Sequence, residues 1–212
     1  MEYYHSLITE KSWQELLNLK KAVDFVLIGG WAVYFYTKAL KSKDIDILVN
    51  FDQLPIIEKL YRLNKNERLS KYQAVKEEIE IDIYLPHFSQ IGIPVEELIN
   101  KTTEIEGFKA LDVNYLLALK IYTLAARGRT PKGRKDFLDL ISLALSGKGD
   151  LAIAEKNIEK FYLKQALKVF QEFLQETTEV EELNLNSHQF SKLKKVITAG
   201  LGLKWDGCKT IS

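Results

Sequence analysis

A single cysteine, Cys208, leaves this 212-residue chain without an internal disulfide and without a thiolate zinc site. That scarcity fits a reducing compartment, so a cytoplasmic location is expected. Three histidines, His5, His87 and His188, are scattered without ligand spacing. No apolar run approaches the ~20 residues that a membrane-crossing helix needs. The start, Met1-Glu2-Tyr3-Tyr4-His5, has no basic segment leading into an apolar one, so no secretory signal is read there. Neither sign of charge dominates: 30 Lys and Arg stand against 29 Asp and Glu, a net charge of +1. A chain without a global basic field must attract anionic partners through local patches. There is no internal repeat and no low-complexity tract. What remains is an ordinary globular composition, 46% apolar and 28% charged, long enough for one large domain or two small ones.

The spacing of apolar residues predicts a helix over 6–21, a short buried strand over 23–28, a helix over 31–40, a strand over 43–50 and a helix over 52–64. Strands follow over 69–76 and 78–85, the second stopped by Pro86, then a short helix over 95–99 and a small hairpin over 102–111 turning near Gly107. From Asp112, a plausible N-cap, the pattern is helical only: 113–126, 134–145, 151–175 and 187–203, with an acidic stretch over 176–182 and a loose tail from Lys204. These elements predict an α+β fold, an α/β domain over 1–110 followed by a helical domain over 111–212.

Two stretches near the front carry the chemistry. Gly29-Gly30 sits between a predicted strand and a predicted helix, where glycine lets backbone approach a ligand and a helix N-terminus offers N–H groups to phosphate. The plain alternative is a strand-to-helix turn. In Ser42-Lys43-Asp44-Ile45-Asp46-Ile47-Leu48 the alternation of a strand puts Ser42, Asp44 and Asp46 on one face, with the carboxylates ~7 Å apart. Like charges so placed repel unless a cation or hydrogen bonds compensate, which favours a metal clamp over a solvated sheet face. Asp82, in Glu80-Ile81-Asp82-Ile83-Tyr84, is a third carboxylate on an alternating strand and converges with the pair if the two strands are neighbours. Glu80 is read as solvated. Trp31, Tyr72 and Tyr122 are read as core more readily than as base-stacking platforms, and His87 as a loop residue.

The order of these features resembles the DNA polymerase β-like nucleotidyltransferase superfamily. The resemblance implies two Mg²⁺ (or Mn²⁺) ions held by Asp44, Asp46 and Asp82, an NTP as substrate, Gly29 and Gly30 at the phosphate turn, and a nucleotide-binding role for Ser42, the small polar residue two before the D-x-D. Lys41 stands where many members carry Arg. Farther on, Lys120 on a helix, Arg127, a loop, and then Arg134-Lys135-Asp136-Phe137-Leu138-Asp139-Leu140 look like the AbiEii-type toxins of abortive-infection systems. That likeness, which spans about residues 23–145, implies active-site roles for Lys120 and Asp136. Six basic residues and no acid lie from Lys120 to Lys135, so Arg127 and Arg134 are candidates for triphosphate or RNA binding. Lys120 otherwise reads as a snorkelling lysine, and Asp136 and Asp139 as first-turn acids favoured by the helix dipole. For Asp139 that plainer reading, or a pair with a nearby Arg, is preferred.

The function expected is Mg²⁺-dependent transfer of a nucleoside monophosphate from an NTP to a hydroxyl on RNA, such as tRNA, or on protein. In a toxin–antitoxin or defence setting a cognate antitoxin would be a partner; no membrane is involved. Two alternatives stand beside it: a catalytically silent relative that binds nucleotide or a partner, and a small-molecule modifier of the antibiotic-adenylylating type.

Overall fold

Val26-Leu27-Ile28 form a fully buried strand, β1, in the interior of a seven-stranded mixed sheet. The computed structural model describes residues 2–203, with side chains from Leu7 onward; the tail from Lys204, Cys208 included, lies outside the described residues. The chain divides into two compact units, Met1–Asp112 and Val113–Ser212.

In the first unit, α1 (Glu2–Ala22) leads into β1 (Val26–Ile28), α2 (Gly29–Thr37) and β2 (Ile45–Leu48). Then come α3 (Leu54–Leu60), β3 (Arg62–Asn66), β4 (Lys71–Lys76), β5 (Ile79–Tyr84), α4 (Val95–Leu98), β6 (Thr102–Ile105) and β7 (Phe108–Leu111). The sheet order is β3-β4-β5-β2-β1-β7-β6. β1 runs antiparallel to β2 and parallel to β7; β2 runs parallel to β5. Ile45, Ile47, Ile79, Ile81 and Ile83 are all buried, as the alternation of these strands requires. Trp31 is core: its indole lies 5.4 Å from that of Trp13 and its Nε1 donates to Ser12 Oγ at 2.9 Å. Phe35 and Phe108 complete that aromatic cluster, with ring centroids 5.0 Å apart.

One expected helix was too long. Residues Arg62–Asn66, predicted helical as far as 64, are the edge strand β3, paired with β4 from Arg62↔Val75 to Asn66↔Lys71. Its sequence is polar and does not alternate; ladder hydrogen bonds to β4, not burial, hold it extended.

The second unit is helical: α5 (Val113–Arg127), α6 (Pro131–Ser146), α7 (Leu151–Lys160), α8 (Lys164–Glu176) and α9 (Ser187–Gly200). Thr130 caps α6 by accepting from Gly133 N, Pro131 occupies the first turn, and Gly147 ends the helix with φ 63°. A Cβ on Gly133 would fall 1.8 Å from Gly128 O, so the α5–α6 turn needs glycine there. Phe137 on α6 anchors the core, against Phe170, Phe173 and Phe190 at 6.1, 5.6 and 6.4 Å. The single helix predicted over 151–175 is two, broken at Phe161-Tyr162-Leu163, where Tyr162 takes φ 58°. Ile158 and Leu163 are both buried; five residues apart, they would point to different sides of one straight helix.

Candidate active site

Ile28 of β1 is the register partner of Asp46 of β2, and Gly29 follows as the first residue of α2. Gly29 has φ +66°, and a Cβ there would lie 2.1 Å from Asp46 Oδ2 and 2.7 Å from its Cγ. Glycine is therefore required twice over, by the backbone conformation and by the carboxylate leaning over the turn. The N-cap residue, Ile28, makes no side-chain cap, and the start of a helix is where backbone N–H groups can face an anionic group. Gly29→Ala is expected to displace Asp46, to cost about 1–3 kcal/mol of stability, and to lower any transfer activity at least about ten-fold. Urea unfolding and a transfer assay measure the two effects.

Asp46 is also the register partner of Asp82, across the parallel pair β2–β5. Residues matched in this way share a sheet face, so the neighbouring-strand condition for Asp82 is met. Asp44 is placed differently from expectation. The strand is four residues long, Ile45–Leu48; Asp44 lies in the bend just before it and is exposed, while Ser42 is buried at 1% exposure. The alternation that was to align Ser42 with Asp44 and Asp46 does not extend to those residues. Glu80 is exposed, as read.

Asp82 has partners that sequence reasoning missed. Lys71 Nζ donates to its Oδ2 at 2.5 Å and Gln73 Nε2 to its Oδ1 at 3.0 Å. Lys71 is 9% exposed. The signal for both was present: the turn between Lys76 and Ile79 sets the β4–β5 register, which puts Gln73 opposite Asp82 and Lys71 on the diagonal. Among the described residues no group of three His, Cys, Asp or Glu side chains is placed to hold a metal ion. One Mg²⁺ needs only one or two carboxylates plus substrate phosphates, and Asp44 and Asp46 can supply those. A second ion on Asp82 would meet the Lys71 ammonium. A cavity of about 370 Å³ lies elsewhere, lined by Leu7, Glu15, Lys76 and Ile79 among others.

Solved structures resemble the chain at this level of architecture. JHP933 from Helicobacter pylori matches with a TM-score of 0.51 at 16% identity, over 93% of this chain and 94% of that one. The Megavirus polyadenylate synthase matches with a TM-score of 0.45 at 13% identity; the chain spans 38% of that protein's length. An antigenic nucleotidyltransferase-like protein from Paracoccidioides brasiliensis matches with a TM-score of 0.40 at 17% identity, over 77% of this chain and 91% of that one. No protein-family model and no curated protein sequence matches. The fold is α+β. A mixed sheet flanked by helices and followed by a helical unit is the arrangement expected, and the architecture is shared with JHP933. Among the described residues no helix is long and apolar enough to cross a membrane.

In the helical unit the structure gathers Lys120, Arg127, Asp136 and Asp139. Lys120 Nζ donates to Asp136 Oδ1 at 2.9 Å and to Asp139 Oδ2 at 2.6 Å; Arg127 NH1 donates to Asp136 Oδ2 at 2.7 Å. Lys120 is 6% exposed and each Asp 1%. Burial alone would push the Lys120 ammonium down; the charges of Asp139 and Asp136 and their hydrogen bonds outweigh it and hold its pKa above the usual lysine value. The snorkelling reading of Lys120 and the first-turn reading of the two acids are thus corrected. Asp139 pairs with a lysine, not an arginine, and its Oδ1 is buried without a hydrogen-bond partner. The basic segment is also less available than its charge suggested. Arg134 is bidentate to Glu182, at 3.0 and 2.8 Å, and Arg129 meets Glu176 at 2.5 Å. Two residues of the acidic stretch over 176–182 thus pair with two of its six cations.

Proposed function

We propose that the chain is a nucleotidyltransferase that moves a nucleoside monophosphate from an NTP to a hydroxyl acceptor on RNA, such as tRNA, or on protein, as the toxin of a toxin–antitoxin or defence pair. The observation that carries this reading is the position of Asp46: its carboxylate leans over the Gly29 turn, and its register partner across the parallel pair is Asp82. That brings a carboxylate and the start of α2 together, the combination a metal-bound triphosphate needs.

In the reaction the acceptor oxygen bonds to the α-phosphorus, the bond from that phosphorus to the α–β bridging oxygen breaks, and pyrophosphate leaves. The start of α2 cradles the phosphates, Asp46 and Asp44 would hold the cation, and Asp82, kept in one orientation by Gln73 and Lys71, takes the acceptor's proton. Mg²⁺ or Mn²⁺, when bound, supplies Lewis-acid polarisation of the phosphoryl oxygens. Lys120 and Asp136 hold α5 to α6 in this reading, because two carboxylates occupy the buried ammonium. Arg127 joins them through Asp136, with its side chain 42% exposed.

The pairing of Arg129 and Arg134 with glutamates favours a second reading, a silent relative that binds nucleotide or a partner protein. Incubation with each of the four α-³²P-labelled NTPs, Mg²⁺ or Mn²⁺, total RNA and cell extract separates the two. Label in RNA or protein supports transfer and names the donor and the acceptor class. Nucleotide binding without label under any donor moves the assignment to the silent relative.

A further inference from the structure

We propose that the acidic segment over 176–182 covers an RNA-binding face at the α5–α6 turn: Glu176 and Glu182 hold, on Arg129 and Arg134, the places that backbone phosphates take when RNA binds. The proposal deepens the reading of RNA as acceptor and rests on it. Three observations within the helical unit carry it. The charges are segregated along the chain: Arg127, Arg129, Lys132, Arg134 and Lys135 stand in a stretch without an acid, and Glu176, Glu179, Glu181 and Glu182 in a stretch without a base. The two stretches meet through paired forks. Arg134 donates from Nε and NH2 to the two carboxylate oxygens of Glu182, and Arg129 NH2 donates to Glu176 Oε1. Each guanidinium also lies over a ring, Arg129 at 4.6 Å from the centre of Phe173 and Arg134 at 5.6 Å from that of Phe137. Both rings are buried, so they orient the guanidinium edge toward an anion and are not open to stack on a base.

The third observation is how the acidic segment is held. Its backbone is fixed: Val180 is fully buried and exchanges two hydrogen bonds with Leu185, at 2.9 and 3.0 Å, and Lys194 Nζ donates to Thr177 O at 3.0 Å. The carboxylate ends are in solvent, with side chains 58% exposed at Glu176 and 43% at Glu182. Uncovering the arginines therefore takes rotation of two side chains and no opening of the loop. Exposed ion pairs of this kind are weak, because two long side chains are held together in a high dielectric. A bidentate guanidinium suits phosphate as well as carboxylate. A polynucleotide presents an anion at every residue and gains further by releasing its condensed counterions. That gain lets RNA displace carboxylates already in place, whereas an isolated anion meets an occupied fork. The cover thus lowers affinity for RNA without abolishing it, and it selects for an extended phosphate backbone over single anions.

The test is fluorescence anisotropy of a labelled tRNA transcript titrated with the full chain, over a KCl series and without NTP. Glu176→Gln with Glu182→Gln should tighten binding at least about five-fold and steepen the dependence of log K on log [KCl] by about 1 to 2, as two phosphate contacts no longer compete with a carboxylate. Glu179→Gln with Glu181→Gln changes the net charge equally, and among the described residues neither carboxylate pairs with Arg129 or Arg134; it should shift affinity less than about two-fold. Arg129→Gln with Arg134→Gln should weaken binding about ten-fold, and adding the Glu176 and Glu182 changes to it should then gain nothing, the coupling expected of partners. Equal tightening by the two glutamate pairs would overturn the proposal, since net charge alone would explain it. So would an unchanged affinity for the Glu176 and Glu182 variant, whose exposed substitutions leave the fold intact. No binding of tRNA by any of these proteins would overturn it too, while label passing from an NTP to protein would still uphold nucleotidyl transfer. The expected pattern without any such label would uphold the cover on a silent relative.

Discussion

Replacing Asp44 and Asp46 together by alanine is expected to lower Mg²⁺-dependent transfer by at least about a thousand-fold, the equivalent of ~4 kcal/mol of barrier. The expectation follows from the placement of Asp46 against the Gly29 turn and from the closeness of Asp44 to it in sequence. The fold should survive. Asp44 is exposed and Asp46 half-buried, and truncating two like charges close in sequence relieves repulsion. The melting temperature should stay within about 3 °C of the parent, as for substitutions away from the core. Initial rates of ³²P incorporation over a Mg²⁺ series, together with a thermal melt, measure both sides. Transfer at the parental rate by the folded double variant would show that these carboxylates do not hold the metal.

Lys120→Met should destabilise the helical unit by about 3–5 kcal/mol, because breaking a buried ion pair strands the opposite charge. The stranded charge would be Asp139 above all. Asp136 keeps Arg127, whereas Asp139 already has one oxygen without a partner and would lose Lys120 from the other. Adding Asp139→Asn should therefore recover at least about 1 kcal/mol, a coupling that independent sites would not show. Urea unfolding followed by circular dichroism gives these numbers, and a loss below about 1 kcal/mol for Lys120→Met would contradict the geometry. The pH dependence has a definite sign. Lys120 has a folded-state pKa above its unfolded value, so its stabilisation is complete below the unfolded value of ~10.4 and is lost as pH rises through the higher folded one. Stability from this group should be flat between pH 7 and about 9 and fall only above about pH 10, a fall that Lys120→Met lacks.

Resemblance put Lys120 and Asp136 in one motif. The tertiary structure brings them into contact, yet it also shows why a motif is an incomplete guide to role. The spacing of Lys120, Asp136 and Asp139 along α5 and α6 does not reveal whether the ammonium faces solvent or is enclosed. Packing of the two helices settles that, leaving 6% of Lys120 exposed. The basic run from Lys120 to Lys135 was legible as charge, and the acidic stretch over 176–182 was legible too. Their mutual neutralisation through Arg129–Glu176 and Arg134–Glu182 was not, because those partners lie 47 and 48 residues apart.

By itself the sequence determined whatever depends on neighbours along the chain. The alternation of Ile79, Ile81 and Ile83, the hairpin turning near Gly107, and the placement of Gly29 between β1 and α2 all follow from local sterics and period. The chemical character of Asp44, Asp46 and Asp82 was equally plain. Only the tertiary structure decided what depends on distant partners. It made a polar segment, Arg62–Asn66, into strand β3 by offering it the ladder of β4. It broke 151–175 into two helices so that Ile158 and Leu163 could both be buried. It set Asp46 beside Asp82 and brought Lys71 onto the Asp82 carboxylate. Pattern along a chain specifies which faces must be buried; which charges then meet is set by the register and packing that burial imposes.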